Sequence, residues 1–270
     1  VSGAFGKWHM GISSIYNPIN RGFDEFYGFL GKGGHDYFCL HKSCYGEKFL
    51  HPMFRNLSTI NDKGYLTDRI GEEAVSFITN HKDKPFFAYI AFNALHAPAQ
   101  APKKDIAVFK TGDKKRDILM GMLNRLDIAI GNIVGTIDAL NLRENTLIFF
   151  LTDNGGSRKM RADNAPLRGF KQSNYEGGIR VPFSISWPKR VPIETVVASP
   201  VISLDVLTTI LSALNIEQER TWNLDGRDLL AVIDNRAQHD FLAWNSGNGS
   251  WAIRQDKWKL GYVENNLVLF

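Results

Sequence analysis

The sequence has 270 residues, of which 44% are hydrophobic and 12% aromatic, and 32 Lys and Arg against 28 Asp and Glu leave a net charge of +4. That is enough apolar chain for a large core. The cations are spread out, with no basic run and no aromatic interleaving, so nucleic acid is not an expected partner. No stretch reads as a membrane span, no secretory leader is visible, and there are no repeats or low-complexity tracts.

The first segment with chemical character is Gly6-Lys7-Trp8-His9-Met10-Gly11. On an extended backbone positions i and i+2 share a face, so Lys7 and His9 are expected to point together. Residues 12–65 are rich in Gly, Asn, Tyr and Phe with little periodicity, and they read as long functional loops. Within them, Gly33-Gly34-His35-Asp36-Tyr37-Phe38 offers His35 and Asp36 either to a sugar hydroxyl or sulfate, or to anchoring of the loop itself. Cys39 and Cys44 either form a local disulfide in an oxidising compartment or remain two thiols; residue type leaves both open.

Leu66 to Asn80 reads as an amphipathic helix, with Leu66, Ile70, Ala74, Phe77 and Ile78 on one stripe. Pro85 to Phe92 reads as a buried strand, and Asn93-Ala94-Leu95-His96-Ala97-Pro98 follows it. This puts His96 just past a strand end, stiffened by the next proline. A long helix is expected from about Asp113 to Leu140. Thr146 to Leu151 then reads as a buried strand of a parallel sheet, and Asp153, Asn154, Gly155 and Gly156 follow directly. Open α/β sheets hold their sites at the carboxyl ends of strands, so two oxygen-bearing side chains there suggest a hard cation. Asn164 to Lys171 and Tyr175 to Phe183 follow, with a strand over Val181 to Trp187. Ser203 is expected to cap a helix running to Leu214. After Asp225-Gly226 come short antiparallel strands at Phe241 to Trp244, Trp251 to Arg254 and Trp258 to Val263.

Strand, helix, strand in this order implies right-handed crossovers and a layered α/β fold, a mostly parallel sheet flanked by helices. The expected organisation is an α/β domain over residues 1–225 and a small antiparallel carboxy-terminal subdomain over 226–270. Taken together, Lys7, His9, His96, Asp153, Asn154 and Lys171 describe one chemistry, a cation on oxygen ligands with cationic and imidazole groups around a tetrahedral anion.

At these segments the chain resembles the sulfatases of the alkaline-phosphatase superfamily. The resemblance runs in order through Gly6 to His9, Gly22-Phe23-Asp24-Glu25-Phe26-Tyr27-Gly28-Phe29, Asn93 to Pro98, Thr152 to Gly156 and Pro166 to Pro182. It closes with Trp251-Ala252-Ile253-Arg254 and Lys257-Trp258-Lys259-Leu260. It implies that Asp153 and Asn154 bind calcium, sometimes magnesium, and that Lys7, His9, His96 and Lys171 surround the sulfate. Of the histidines, His96 is expected to protonate the departing alcohol and His9 to serve the formylglycine hydroxyl, although sequence does not decide between them.

Sulfatases also carry a strand ending in paired aspartates and a Cys/Ser-x-Pro-x-Arg segment whose first residue becomes formylglycine. Neither stands upstream of Lys7, so the chain is expected to be a fragment cut at both ends and inactive alone. Ser186-Trp187-Pro188-Lys189-Arg190 matches that pattern literally, but it lies downstream of the metal pair and reads as a strand end with a proline turn. The implied activity is hydrolysis of sulfate monoesters, on a sulfated sugar or an aryl sulfate, in a secreted, periplasmic or lysosomal protein. The alternatives are a phosphoester or phosphonate hydrolase of the same superfamily and a non-catalytic sulfated-glycan-binding protein.

Overall fold

Ser2–Lys7 forms β1, which lies between β2 and β5 in a five-stranded sheet and is buried through its middle. Ala4 packs with Phe26 and Leu30 on one face, where Trp8, Ile19, Phe23 and Phe54 close the cluster. Phe5 points the other way and meets Phe77 at 5.3 Å between ring centroids. β2 (Glu25–Phe29) pairs in parallel with β1, then β3 (Met53–Arg55) and β4 (Ser58–Ile60) add antiparallel edges. After α1 (Leu66–Asn80), β5 (Phe87–Ala91) returns to the other side of β1, again in parallel. Gly6 is needed at this seam: its φ is +103°, and any Cβ would run into the Ala91 carbonyl of β5.

The structure, a computed structural model, describes residues 1–44, 51–247, 249–263 and 265–270, without the Arg220 side chain. These residues form two compact units, 1–142 with 159–162, and 143–158 with 163–270. The expected boundary at 225/226 falls inside the second unit.

In the first unit α1 has the expected limits and buries Leu66, Ile70, Ala74, Phe77 and Ile78. α2 (Lys103–Ile106) and the long α3 (Lys114–Ala139) complete the helical layer. Asp113 caps α3 by accepting from the Lys115 and Arg116 amides at 2.9 and 3.2 Å. With 26 residues α3 is long and apolar enough to cross a membrane by length and composition alone. It packs on α1 instead, burying Leu119, Met122, Ala129, Ile133 and Ile137, and its Arg125 pairs with Asp68 of α1. Cys39 and Cys44 are joined in a disulfide, the first of the two alternatives. Strand β1 stops at Lys7, and His9 adopts a left-handed backbone with φ +61°. The extended-strand argument for Lys7 and His9 sharing a face therefore fails.

In the second unit β6 (Ile148–Leu151) pairs with β7 (Phe183–Ser186), and the short helix α4 (Glu176–Ile179) precedes β7. That pairing is antiparallel, which corrects the reading of this strand as part of a parallel sheet. The α/β class itself stands, with parallel pairing at β1–β2 and β1–β5. Helix α5 covers Asp205–Ala213, one residue later than a Ser203 cap would start it. Fully buried Asp205 does the work at that end, accepting from the amides of Ile202 at 2.9 Å and Arg227 at 2.8 Å and meeting His239 Nε2 at 2.8 Å. After α6 (Leu229–Ile233), a four-stranded antiparallel meander follows: β8 (Leu242–Asn245), β9 (Trp251–Gln255), β10 (Trp258–Val263) and β11 (Asn266–Leu269). The last strand lies in the apolar run 267–270, where no strand was expected.

Candidate functional site

The candidate residues divide between the two units, and each half is built by its own local bonds. In the first, Lys7 is the last residue of β1, opposite Phe29 of β2, and is half-buried, while His9 is exposed. The Asn93–Pro98 turn follows β5. Its His96 amide donates to the Asn93 carbonyl at 2.8 Å, and His96 Nδ1 lies 2.9 Å from the Ala97 carbonyl. A neutral imidazole that gives its Nδ1 hydrogen to a carbonyl has an acceptor at Nε2, the position at which it gains a proton and can later give it up.

This turn is clamped to the 33–37 loop. Tyr37 Oη donates to the carbonyls of Asn93 at 3.0 Å and His96 at 2.9 Å, and Asn93 Nδ2 donates to the His35 carbonyl at 3.1 Å. Gly34 lies so close that any Cβ would overlap the Ala97 carbonyl. Gln100 finishes the clamp, accepting from the Tyr37 amide at 2.9 Å and donating to Asp36 at 2.6 Å. Neither Asn93 nor Gln100 was singled out from sequence, because an amide side chain at a loop carries no distinctive pattern.

The same contacts bear on the two readings of His35 and Asp36. His35 is 0% exposed, and its ring nitrogens face the carbonyls of Asp36 at 2.6 Å and His51 at 2.9 Å. Asp36 accepts from the amides of Phe38 and Cys39, both at 2.8 Å, as well as from Gln100. Burial works to raise the Asp36 carboxyl, but these three hydrogen bonds outweigh it and hold it below the ordinary value of 3.8. In the structure both side chains bond to the loop and to Gln100, as the anchoring alternative expects.

In the second unit, β6 delivers Asp153 and Asn154 at its carboxyl end. Asp153 is exposed, and Asn154 Nδ2 donates to the Gly155 carbonyl at 3.1 Å, which leaves Oδ1 as its oxygen donor. Asn164 ties this turn to the Lys171 loop. It accepts from the Gly156 amide at 3.0 Å and donates to the carbonyls of Gly156 at 3.2 Å and Gly169 at 3.0 Å. The half-buried Lys171 donates its own amide to Gly156 O at 3.0 Å. Gly155 has no room for a Cβ, which would overlap the Gly177 carbonyl.

Asp153 and Asn154 suit calcium or magnesium in kind, as one charged and one neutral hard oxygen donor. In number they fall short of the roughly six to eight oxygens around calcium. Among the described residues no group of three or more His, Cys, Asp or Glu is placed to hold a metal. Ser186 sits within β7 opposite Ile148, and its Oγ accepts from Arg143 Nη2 at 3.2 Å, so a strand position accounts for it.

The model of the family described as Sulfatase matches residues 1–216. The chain belongs to the sulfatase family. It is 30% identical over 275 residues to an N-acetylgalactosamine-6-sulfatase of Sus scrofa, covering 94% of this chain and 50% of that one. It is also 30% identical to arylsulfatase J of Mus musculus, covering 94% of this chain and 47% of the other. This sulfatase chain thus spans about half the length of the curated relatives it matches. Among solved structures, Ps i-CgsB in complex with k-i-k-neocarrahexaose superposes with a TM-score of 0.91 at 37% identity, covering 99% of this chain and 64% of that one. PsFucS1 sulfatase from Pseudoalteromonas sp., at 20% identity and a TM-score of 0.79, shares the fold.

Proposed function

We propose that the protein containing this chain hydrolyses sulfate monoesters, with a sulfated carbohydrate as its substrate class. The observation that carries this reading is family membership together with the 37%-identical, 99%-covering likeness to a structure solved with k-i-k-neocarrahexaose bound. Aryl sulfates are expected to serve as surrogate substrates, as the likeness to arylsulfatase J suggests.

In the proposed mechanism Asp153 and Asn154 hold a calcium or magnesium ion, the carboxylate supplying charge and the amide a neutral oxygen. When bound, such an ion would supply Lewis-acid polarisation of the sulfate oxygens, and a formylglycine would supply the attacking oxygen. Lys7 and Lys171 neutralise charge on the non-bridging oxygens as it develops. His96 protonates the departing alcohol from Nε2, its Nδ1 being held by the Ala97 carbonyl. His9 is the residue that would accept the proton of a formylglycine hydroxyl. The Cys39–Cys44 disulfide fits a secreted, periplasmic or lysosomal setting.

The test is to incubate the full-length parent with a carrageenan oligosaccharide, 4-nitrophenyl sulfate and 4-nitrophenyl phosphate and to measure released sulfate or phosphate. Sulfate release from the oligosaccharide is the expected result. Turnover of the phosphate ester alone would favour the phosphoester reading, and binding without turnover the glycan-binding one.

A further inference from the structure

Lys259 stands on the inner face of β10 and is only 6% exposed. A buried ammonium is costly unless it is paired and hydrogen-bonded. Its partner is Glu176, whose Oε1 lies 2.6 Å from the Lys259 nitrogen, while Arg254 Nη1 of β9 lies 3.5 Å from Oε2. The Trp244 ring of β8 flanks the ammonium at 5.3 Å. Glu176 is the first residue of α4, directly after the Lys171 loop. The two residues before it are fastened as well. Asn174, 4% exposed, donates to Ser250 Oγ at 3.2 Å and accepts from Ser246 Oγ at 2.9 Å, and Tyr175 meets Phe270 edge-on at 5.9 Å.

From this anchor, backbone bonds lead straight to the candidate residues. The Gly178 carbonyl of α4 accepts from the Gly155 amide at 2.9 Å, the position after Asn154. The Gly177 amide donates to the Arg168 carbonyl at 2.7 Å, and the Lys171 amide to the Gly156 carbonyl at 3.0 Å. The glycines permit this approach, because a Cβ on Gly177 or Gly178 would overlap the carbonyls of Gly169 or Ser173. A buried ion pair contributes little net stability compared with an apolar pair of the same size. What a 2.6 Å charged contact supplies is a fixed distance and register, which an apolar contact able to slide would not.

We propose that the Glu176–Lys259 pair, buried at its lysine end, makes the carboxy-terminal sheet a positioning element for the Asp153–Gly156 turn and the Lys171 loop. What the positioned residues then do rests on the sulfatase reading above; the bracing itself is a matter of the bonds just described. Lys259 and Glu176 are positioning residues, since they act through α4.

The test uses the full-length parent carrying Lys259→Met, Lys259→Arg or Glu176→Gln. Amide hydrogen exchange is followed in peptides covering 153–156, 168–173 and the β6–β7 pair, and kinetics are followed against calcium concentration. In Lys259→Met the Gly155 and Lys171 amides should exchange faster while β6 and β7 keep wild-type rates. The apparent calcium affinity and kcat/KM should fall about 10- to 100-fold, as for other groups that orient metal ligands. Lys259→Arg should recover most of both effects. Glu176→Gln, which keeps an acceptor for the ammonium, should give a milder version in a protein that still folds. Unchanged exchange at Gly155 and Lys171, or acceleration spread evenly over the unit, overturns the proposal. If the wild-type parent releases no sulfate from any ester, the functional reading fails, and the exchange rates still decide the bracing.

Discussion

The chemistry proposed for Asp153, Asn154 and His96 depends on the short contacts that hold them. The Asn154 side-chain nitrogen donates to the Gly155 carbonyl, and His96 Nδ1 faces the Ala97 carbonyl. In the full-length parent, Asp153→Ala is expected to lower kcat on an aryl sulfate by at least about 10²–10³, the cost of losing one preorganised electrostatic group. His81→Ala serves as its control. His81 bonds Glu25 at 2.7 Å and packs its ring at a tilt against Phe77 at the end of α1, so its loss should lower the melting temperature and leave kcat/KM near wild type. Equal loss of activity in both variants would indicate misfolding rather than lost chemistry.

Among the elements, the α1–α3 contact and the Asn164 clamp are the two with most at stake. Arg125 of α3 bonds Asp68 of α1, and its Nε lies 3.7 Å from Asp105 of α2. Removing the guanidinium would leave two shielded carboxylates facing each other without a cation. Arg125→Met is therefore expected to cost about 1–3 kcal/mol, read as a shift in the urea midpoint at unchanged slope. Asn164→Ala should act differently: three bonds to the Asp153–Gly156 turn and Gly169 vanish, so calcium dependence should weaken with little change in the overall midpoint. A large midpoint shift without a calcium effect would mean that Asn164 is a folding residue only.

At the scale of the molecule, acid should be the main threat to the first unit. Asp62 is pushed up by burial, but the Tyr27 hydroxyl, the Lys63 amide and Arg69 outweigh this and hold it below 3.8. Asp36 is held low in the same way. A carboxyl whose folded value is depressed contributes stability above its unfolded value, and that contribution is lost as pH falls through the folded value. The urea midpoint should thus be flat above about pH 5 and drop below about pH 4, and Asp62→Asn should flatten the drop. The same chain, residues 1–270, should bind calcium only weakly by calorimetry, because Asp153 and Asn154 offer two donors where calcium takes roughly six to eight. Tight binding would point to donors elsewhere in the chain, with Ser186 the first to re-examine.

The limits of α1 and α3, the strands β5, β6 and β7, three of the four antiparallel carboxy-terminal strands and the family itself were legible in the sequence. These depend on local periodicity and on contiguous segments that keep their order along the chain. What β6 pairs with, how His9 turns, and the roles of His35 and Asp36 were not legible. Pairing is set by residues some 30 positions away in sequence, a left-handed φ by packing around a single position, and an anchoring histidine looks like a substrate-binding one until its neighbours are known. Glu176 and Lys259 show the same limit most clearly. Each is an ordinary charged residue in the sequence, 83 positions from the other, and only the packing of β10 against α4 turns them into a pair at 2.6 Å.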